Sequence, residues 1–187
     1  MLVRTVLVAI VACGLLGSST SAAAQHERSY EFDDTHVAIS IERFMGIEYV
    51  DLEGPGGDEA TARLFLNASE YVPTSHARLG IDVFIERLSI GLAGGVTSDD
   101  TAILAPRIGY LFGLTPKLGL WLRGGAFYAA TPGPEYVGIT AEVLFQWFPY
   151  SFLAFHLGPT LDVAFADDPN PDYVAVGIPE LGLSAWF

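Results

Sequence analysis

Charged side chains standing singly inside apolar stretches are where this chain could do chemistry. Glu42, Asp82, Arg107, Arg123, Glu142, His156, Asp162 and Glu180 each sit among Gly, Ala, Ser, Thr and aliphatic neighbours. Carboxylates and guanidiniums taken out of water are stable only when opposite signs meet, so a packed network of ion pairs is expected, with Arg78 as a further cation. A narrow conducting path lined by the same groups is the sharper alternative. Glu70, Ser75 and His76 supply the residue types of acyl transfer, a nucleophile with a base and a carboxylate. Neighbours on a strand point to opposite faces, however, so Ser75 and His76 pair only if the backbone there is a loop. Asp167, Asp168, Asn170 and Asp172 offer oxygen ligands for a hard cation. They lack the glycine and closing glutamate of an EF-hand loop, and Asp, Asn and Pro are ordinary turn residues. No catalytic residue, no metal site and no cofactor is expected.

The elements that must position these groups have a period of two. Leu153, Phe155, Leu157, Pro159, Leu161, Val163 and Phe165 alternate with Ala154, His156, Gly158, Thr160, Asp162 and Ala164. Val137 to Trp147, Ala77 to Ile85 and Leu88 to Val96 repeat the pattern. Such alternation is that of a strand with two unlike faces. Twenty glycines and eleven prolines, many inside the apolar segments, exclude helices there. An all-β class follows.

The only long apolar run is Leu2 to Gly17, after Arg4 and before Ala22, Ala23 and Ala24. A basic residue, a short apolar core and an Ala-x-Ala site predict an export signal over 1–24, in preference to lipidation at Cys13. Residues 25–35 are then expected to be an N-terminal periplasmic segment, with the strands over 36–187.

Composition limits the rest. Fifty-one per cent of the 187 residues are hydrophobic, which excludes disorder. Nine basic against 22 acidic side chains, a formal charge of −13, exclude nucleic acid as a partner. The face opposite the aliphatics is mostly Gly, Ala, Ser and Thr with sparse charges of both signs, too poor in polar residues for a water-facing wall. Apolar outside and polar inside is the pattern of a barrel in lipid.

Connections agree with that reading. Arg87, Leu114 to Lys117 and Pro149 to Phe152 are short turns, and they alternate with acidic, mostly longer links. Counting back from the end gives strands at 174–187, 153–165, 136–148, 118–129, 102–113, 88–98 and 77–86, and a first one from about His36. Eight antiparallel strands with both termini on the short-turn side match the rule of short periplasmic turns and longer outer loops. Residues 51–76 then form a long first outer loop, in which 60–67 extends the wall. Aromatics at the strand ends are expected to form two lipid-interface girdles. Tyr110, Phe112, Trp147, Phe148, Tyr150, Phe152, Trp186 and Phe187 make the inner one, and Phe127, Tyr128, Tyr136, Phe165 and Tyr173 the outer. Pro106, Pro159 and Pro179 fall inside strands and are expected at bulges. Arg43 falls on the lipid side.

The chain finishes with Leu181, Leu183, Ala185 and Phe187 at every second position. This resembles the C-terminal signature of outer-membrane β-barrel proteins, with Leu183, Ala185 and Phe187 as the assembly signal. With the signal peptide and the turn asymmetry, the chain resembles the small eight-stranded bacterial outer-membrane barrels, similar in architecture to the OmpA transmembrane domain and OmpX-like proteins. No motif assigns it to either. The resemblance implies a monomer in outer-membrane lipid with the barrel-assembly machinery as partner. The expected role is structural, adhesive or protective, through outer loops that hold eleven of the 22 acids. A narrow pore for small solutes and a soluble, lipocalin-like binding barrel are the other readings.

Overall fold

The computed structural model describes residues 34–53, 59–66, 77–96, 100–166, 170 and 172–187. All regular structure among them is strand: β1 (His36–Glu53), β2 (Glu59–Leu66), β3 (Arg78–Ile85), β4 (Leu88–Val96), β5 (Ala102–Thr115), β6 (Leu118–Ala130), β7 (Glu135–Tyr150), β8 (Leu153–Ala166) and β9 (Asp172–Trp186). Each pairs antiparallel with its neighbour, and β1 pairs with β9 to close the ring. At the inner end of that seam Val37 and Phe187 exchange both backbone hydrogen bonds, each 3.0 Å.

Nine strands fill eight wall positions, because β1 meets two partners on one side. Its first half, His36 to Glu42, pairs with β3 from Phe84 to Arg78, and its second half, Met45 to Leu52, pairs with β2 from Leu66 to Glu59. The barrel is therefore β1-β3-β4-β5-β6-β7-β8-β9, with β2 stacked above β3 as an added hairpin arm. The segment expected as loop over 51–76 thus begins as wall, since β1 runs to Glu53 and β2 continues the sheet.

The wall is inverted relative to a water-soluble barrel. Along β7, Val137, Ile139, Phe145 and Trp147 are 52–60% exposed while the intervening Tyr136, Thr140, Glu142, Leu144, Gln146 and Phe148 are buried. The same alternation runs through β3, β5 and β8. A ring of outward aliphatics with polar groups sequestered inside minimises free energy only when the surrounding solvent is hydrocarbon. A soluble barrel around a greasy ligand cavity would require the reverse.

Two of the irregularities lie where proline interrupts the ladder. Register shifts flank Pro159, between Gly158 and Thr160, and Pro179, where β1 skips from Gly46 to Glu48 as β9 goes from Glu180 to Gly177. Pro106 is different: the register runs on without a shift from the pair Leu104 and Tyr128 to the pair Arg107 and Gly125.

Candidate functional site: a charged belt sealed inside the barrel

The lumen is filled in three layers. At the turn end, Phe84, Leu111, Trp121, Leu144, Phe148 and Trp186 pack into an apolar floor. Phe84 and Trp186 have ring centroids 4.5 Å apart, Phe84 and Trp121 5.2 Å, and Phe148 and Trp186 5.4 Å. At the opposite end Val50, Ile103, Phe127, Tyr136 and Tyr173 form a roof with several alanines. The two tyrosines meet edge to face at 5.2 Å. Between floor and roof lies a belt of charge.

The belt is a chain of alternating sign. Asp82 accepts hydrogen bonds from Arg107, whose Nε lies 2.9 Å from Oδ1 and whose Nη2 is in closer contact with Oδ2. Arg107 then grips Glu42 with both terminal nitrogens at 2.6 Å. From the other side Arg123 grips Glu42 at 2.9 and 3.0 Å and donates its Nε to Glu142. Glu142 is shared with Arg43, which approaches to 2.7 Å and passes on to Asp162 at 2.5 Å. Ser40 and Thr140 join the belt, Ser40 donating to Glu42 at 2.5 Å and Thr140 accepting from Arg43 at 3.1 Å. Forked guanidinium-to-carboxylate contacts of this kind fix geometry as well as charge. All seven charged side chains are at most 8% exposed.

Small residues make these long reaches possible. Arg107 on β5 must cross β4 and β3 to touch Glu42 on β1, and it passes over Gly80. A methyl group there would lie 2.5 Å from Arg107 Nη2 and 2.6 Å from Glu42 Oε1. The belt also rests on the floor, with the Arg123 guanidinium carbon 4.4 Å from the Trp121 ring centroid, a cation–π distance. The Trp121 indole N–H is satisfied by Ser89 Oγ at 3.0 Å.

Of the eight residues singled out from sequence, Glu42, Asp82, Arg107, Arg123, Glu142 and Asp162 meet in this belt. His156 is buried beneath it, opposite Gln146 in the ladder and against Gly182, where any side chain would strike the imidazole. Glu180 is placed by register alone, opposite Gly158 and Gly46. Arg78 is buried beside Glu42 in the ladder. Among the described residues no cluster of His, Cys, Asp and Glu could hold a metal ion. Asp172 closes the β8–β9 connection by accepting the Ala166 amide at 2.9 Å, while Asp167 and Asp168 lie outside the described residues. Glu70, Ser75 and His76 lie outside them too, as do the expected signal 1–24 and most of 25–35.

Arg43 corrects the sequence reading. Alternation places it in lipid; the structure turns it inward through a left-handed backbone, φ 52°, within a two-residue bulge where Ile41 faces Leu183 and Met45 faces Leu181. An arginine on the lipid face costs about 2–4 kcal/mol at mid-bilayer, which is the signal that pointed inward. The girdles need a second correction. Tyr110, Phe112, Trp147, Tyr150, Phe152 and Phe187 are exposed at the inner end and Tyr128 and Phe165 at the outer. Phe148, Trp186, Phe127, Tyr136 and Tyr173 are buried in floor and roof. Trp147 and Phe148 are consecutive on a strand, so only one of them can face lipid.

The backbone is similar to that of Neisserial surface protein A, 10% identical over 81% of this chain and 96% of that one, with a TM-score of 0.51. It is also similar to the N-terminal β-barrel domain of Pseudomonas aeruginosa OprF, 11% identical over 82% and 98% (TM-score 0.46), and to Ail, the attachment invasion locus protein of Yersinia pestis, 11% identical over 82% and 99% (TM-score 0.45). At these identities the likeness is one of fold: this chain has the closed eight-stranded architecture of small bacterial outer-membrane barrels. No family model and no curated relative matches it.

Proposed function

We propose that this is a monomeric outer-membrane barrel that crosses lipid as an inert plug and acts through its outer rim, in a structural, adhesive or protective role without catalysis. The observation that carries this reading is the sealed belt. Among the described residues, charges at most 8% exposed and held between two aromatic layers leave no open path along the lumen. What remains accessible is the outer wall, which is aliphatic, and the rim. There Asp51 stands near the end of β1, Glu135 opens β7 and Asp172 opens β9. An acidic rim repels polyanions and attracts cations and basic surfaces. Outer-membrane lipid surrounds the wall. The barrel-assembly machinery reads the terminal strand, in which Leu183 and Ala185 are half-buried and Phe187 is exposed.

Membrane fractionation followed by planar-bilayer recording tests the reading. The chain stays with the outer membrane through an alkaline wash and needs detergent for release, and the purified barrel gives no steady conductance. Appearance in the soluble fraction would overturn the membrane assignment. Steady single-channel steps would replace the plug by a narrow pore.

A further inference from the structure

Away from hairpin turns, register shifts occur in two seams, twice between β1 and β9 and once between β8 and β9. Shifts in the β5–β6 and β7–β8 seams stand beside their turns. Both interrupted seams belong to β9. Between the pairs Ile41–Leu183 and Met45–Leu181, three residues of β1 stand opposite one of β9, and Pro179 brings no N–H to either neighbour. Each interruption removes cross-strand hydrogen bonds that hydrocarbon cannot replace. The terminal strand is thus tied by the most broken ladders in the wall.

Arg43 sits in the first of these interruptions. Its left-handed backbone, unusual for a residue with a side chain, aims the guanidinium inward and across β9. It reaches Asp162 on β8 at 2.5 Å and both Glu142 and Thr140 on β7 at 2.7 and 3.1 Å. One side chain therefore bridges the two defective seams and binds the first strand to the seventh and eighth over the ninth. Letting go would strand a buried cation and leave Asp162 without it.

We propose that Arg43 is a clasp that closes the barrel: it holds β9 in the wall, and its release lets β9 part from β1 and β8 before any other strand separates. Amide hydrogen exchange on the chain in lipid nanodiscs tests this. Arg43→Gly removes the guanidinium while keeping a residue at ease at φ 52°. Exchange across Asp172–Trp186 should rise roughly 100-fold, with β5 and β6 unchanged. Arg107→Gln, which takes the same charge from the far side of Glu42, should not single out β9. Equal acceleration in all strands, no acceleration, or the same β9 pattern from Arg107→Gln would overturn the clasp. Should Arg43→Gly fail to fold, Asp162→Asn decides. It leaves Arg43 on Glu142 and should still raise β9 exchange about tenfold, and an unchanged β9 would refute the proposal.

Discussion

Glu42 is the junction of the belt, and neutralising it should be the most informative single change. It receives two hydrogen bonds from Arg107, two from Arg123 and one from Ser40. Glu42→Gln keeps the shape but leaves two buried guanidiniums sharing one carboxylate fewer. Breaking a buried pair costs about 3–5 kcal/mol. Here each arginine retains a partner, Asp82 for Arg107 and Glu142 for Arg123, so the expected loss lies at the lower end, about 3 kcal/mol. Adding Arg107→Met to Glu42→Gln removes the surplus cation. It should therefore cost less than the two single changes added together, with a coupling of about 1–3 kcal/mol. Urea unfolding of the barrel in phospholipid vesicles, followed by tryptophan fluorescence, measures both quantities. Trp121 reports on the belt directly, since Arg123 stacks on its ring. A loss below about 1 kcal/mol for Glu42→Gln, or strict additivity in the double variant, would show that the belt is not the coupled network its geometry describes.

Three further outcomes follow from other layers of the structure. Gly80→Ala should destabilise by about 1–3 kcal/mol in the same unfolding assay, because the methyl group enters the crossing point of Arg107 and Glu42. Ile139→Arg, at an outward position 60% exposed, should cost about 2–4 kcal/mol of insertion, read as a lower folded fraction in vesicles. An equal folded fraction for the variant would refute a lipid-facing wall there. Phe84→Ala should cost about 3–5 kcal/mol by opening the floor between Trp121 and Trp186. It should also quench Trp121 fluorescence with added acrylamide, whereas the parent barrel resists quenching.

Most of the wall was legible from sequence because a strand between lipid and lumen leaves a period-two record. The seven strands after the first long connection lie within three residues of their expected ends, and the eighth was found by its start at His36. The belt was legible for the same reason, since isolated charges on the small-residue face have nowhere else to go. What alternation could not express is a residue that leaves the alternation. Arg43 points inward only because its backbone is left-handed, and the two-residue bulge around it restores the parity of Met45, so the surrounding pattern carries no trace. The split wall position was legible only in part, since 60–67 reads as an extension of the wall but within a loop over 51–76. Whether residues 59–66 continue the sheet depends on the length of β1, and β1 gains that length from pairing with β9 up to Glu53. The aromatic floor and roof were misread because strand-end position was given more weight than parity, which had Phe148 and Trp186 on the inner face.

The layering of the lumen separates two kinds of charge. Within the described residues the belt and its neighbour Arg78 comprise four carboxylates and four guanidiniums, a neutral set beneath a lid of Val50, Ile103, Phe127, Tyr136 and Tyr173. Beyond that lid, at the opposite ends of the strands from the aromatic floor, stand Asp51, Asp100, Glu135 and Asp172. Mobile ions screen the outer charges within about 8–10 Å of solution but do not enter the inner compartment. The two therefore scarcely sense one another. Substitutions in the outer connections can add, remove or reverse charge without disturbing the pairing that holds the barrel, and a change in external salinity leaves that pairing as it was. An insulated interior thus frees the exposed surface to diversify on a scaffold that need not change with it.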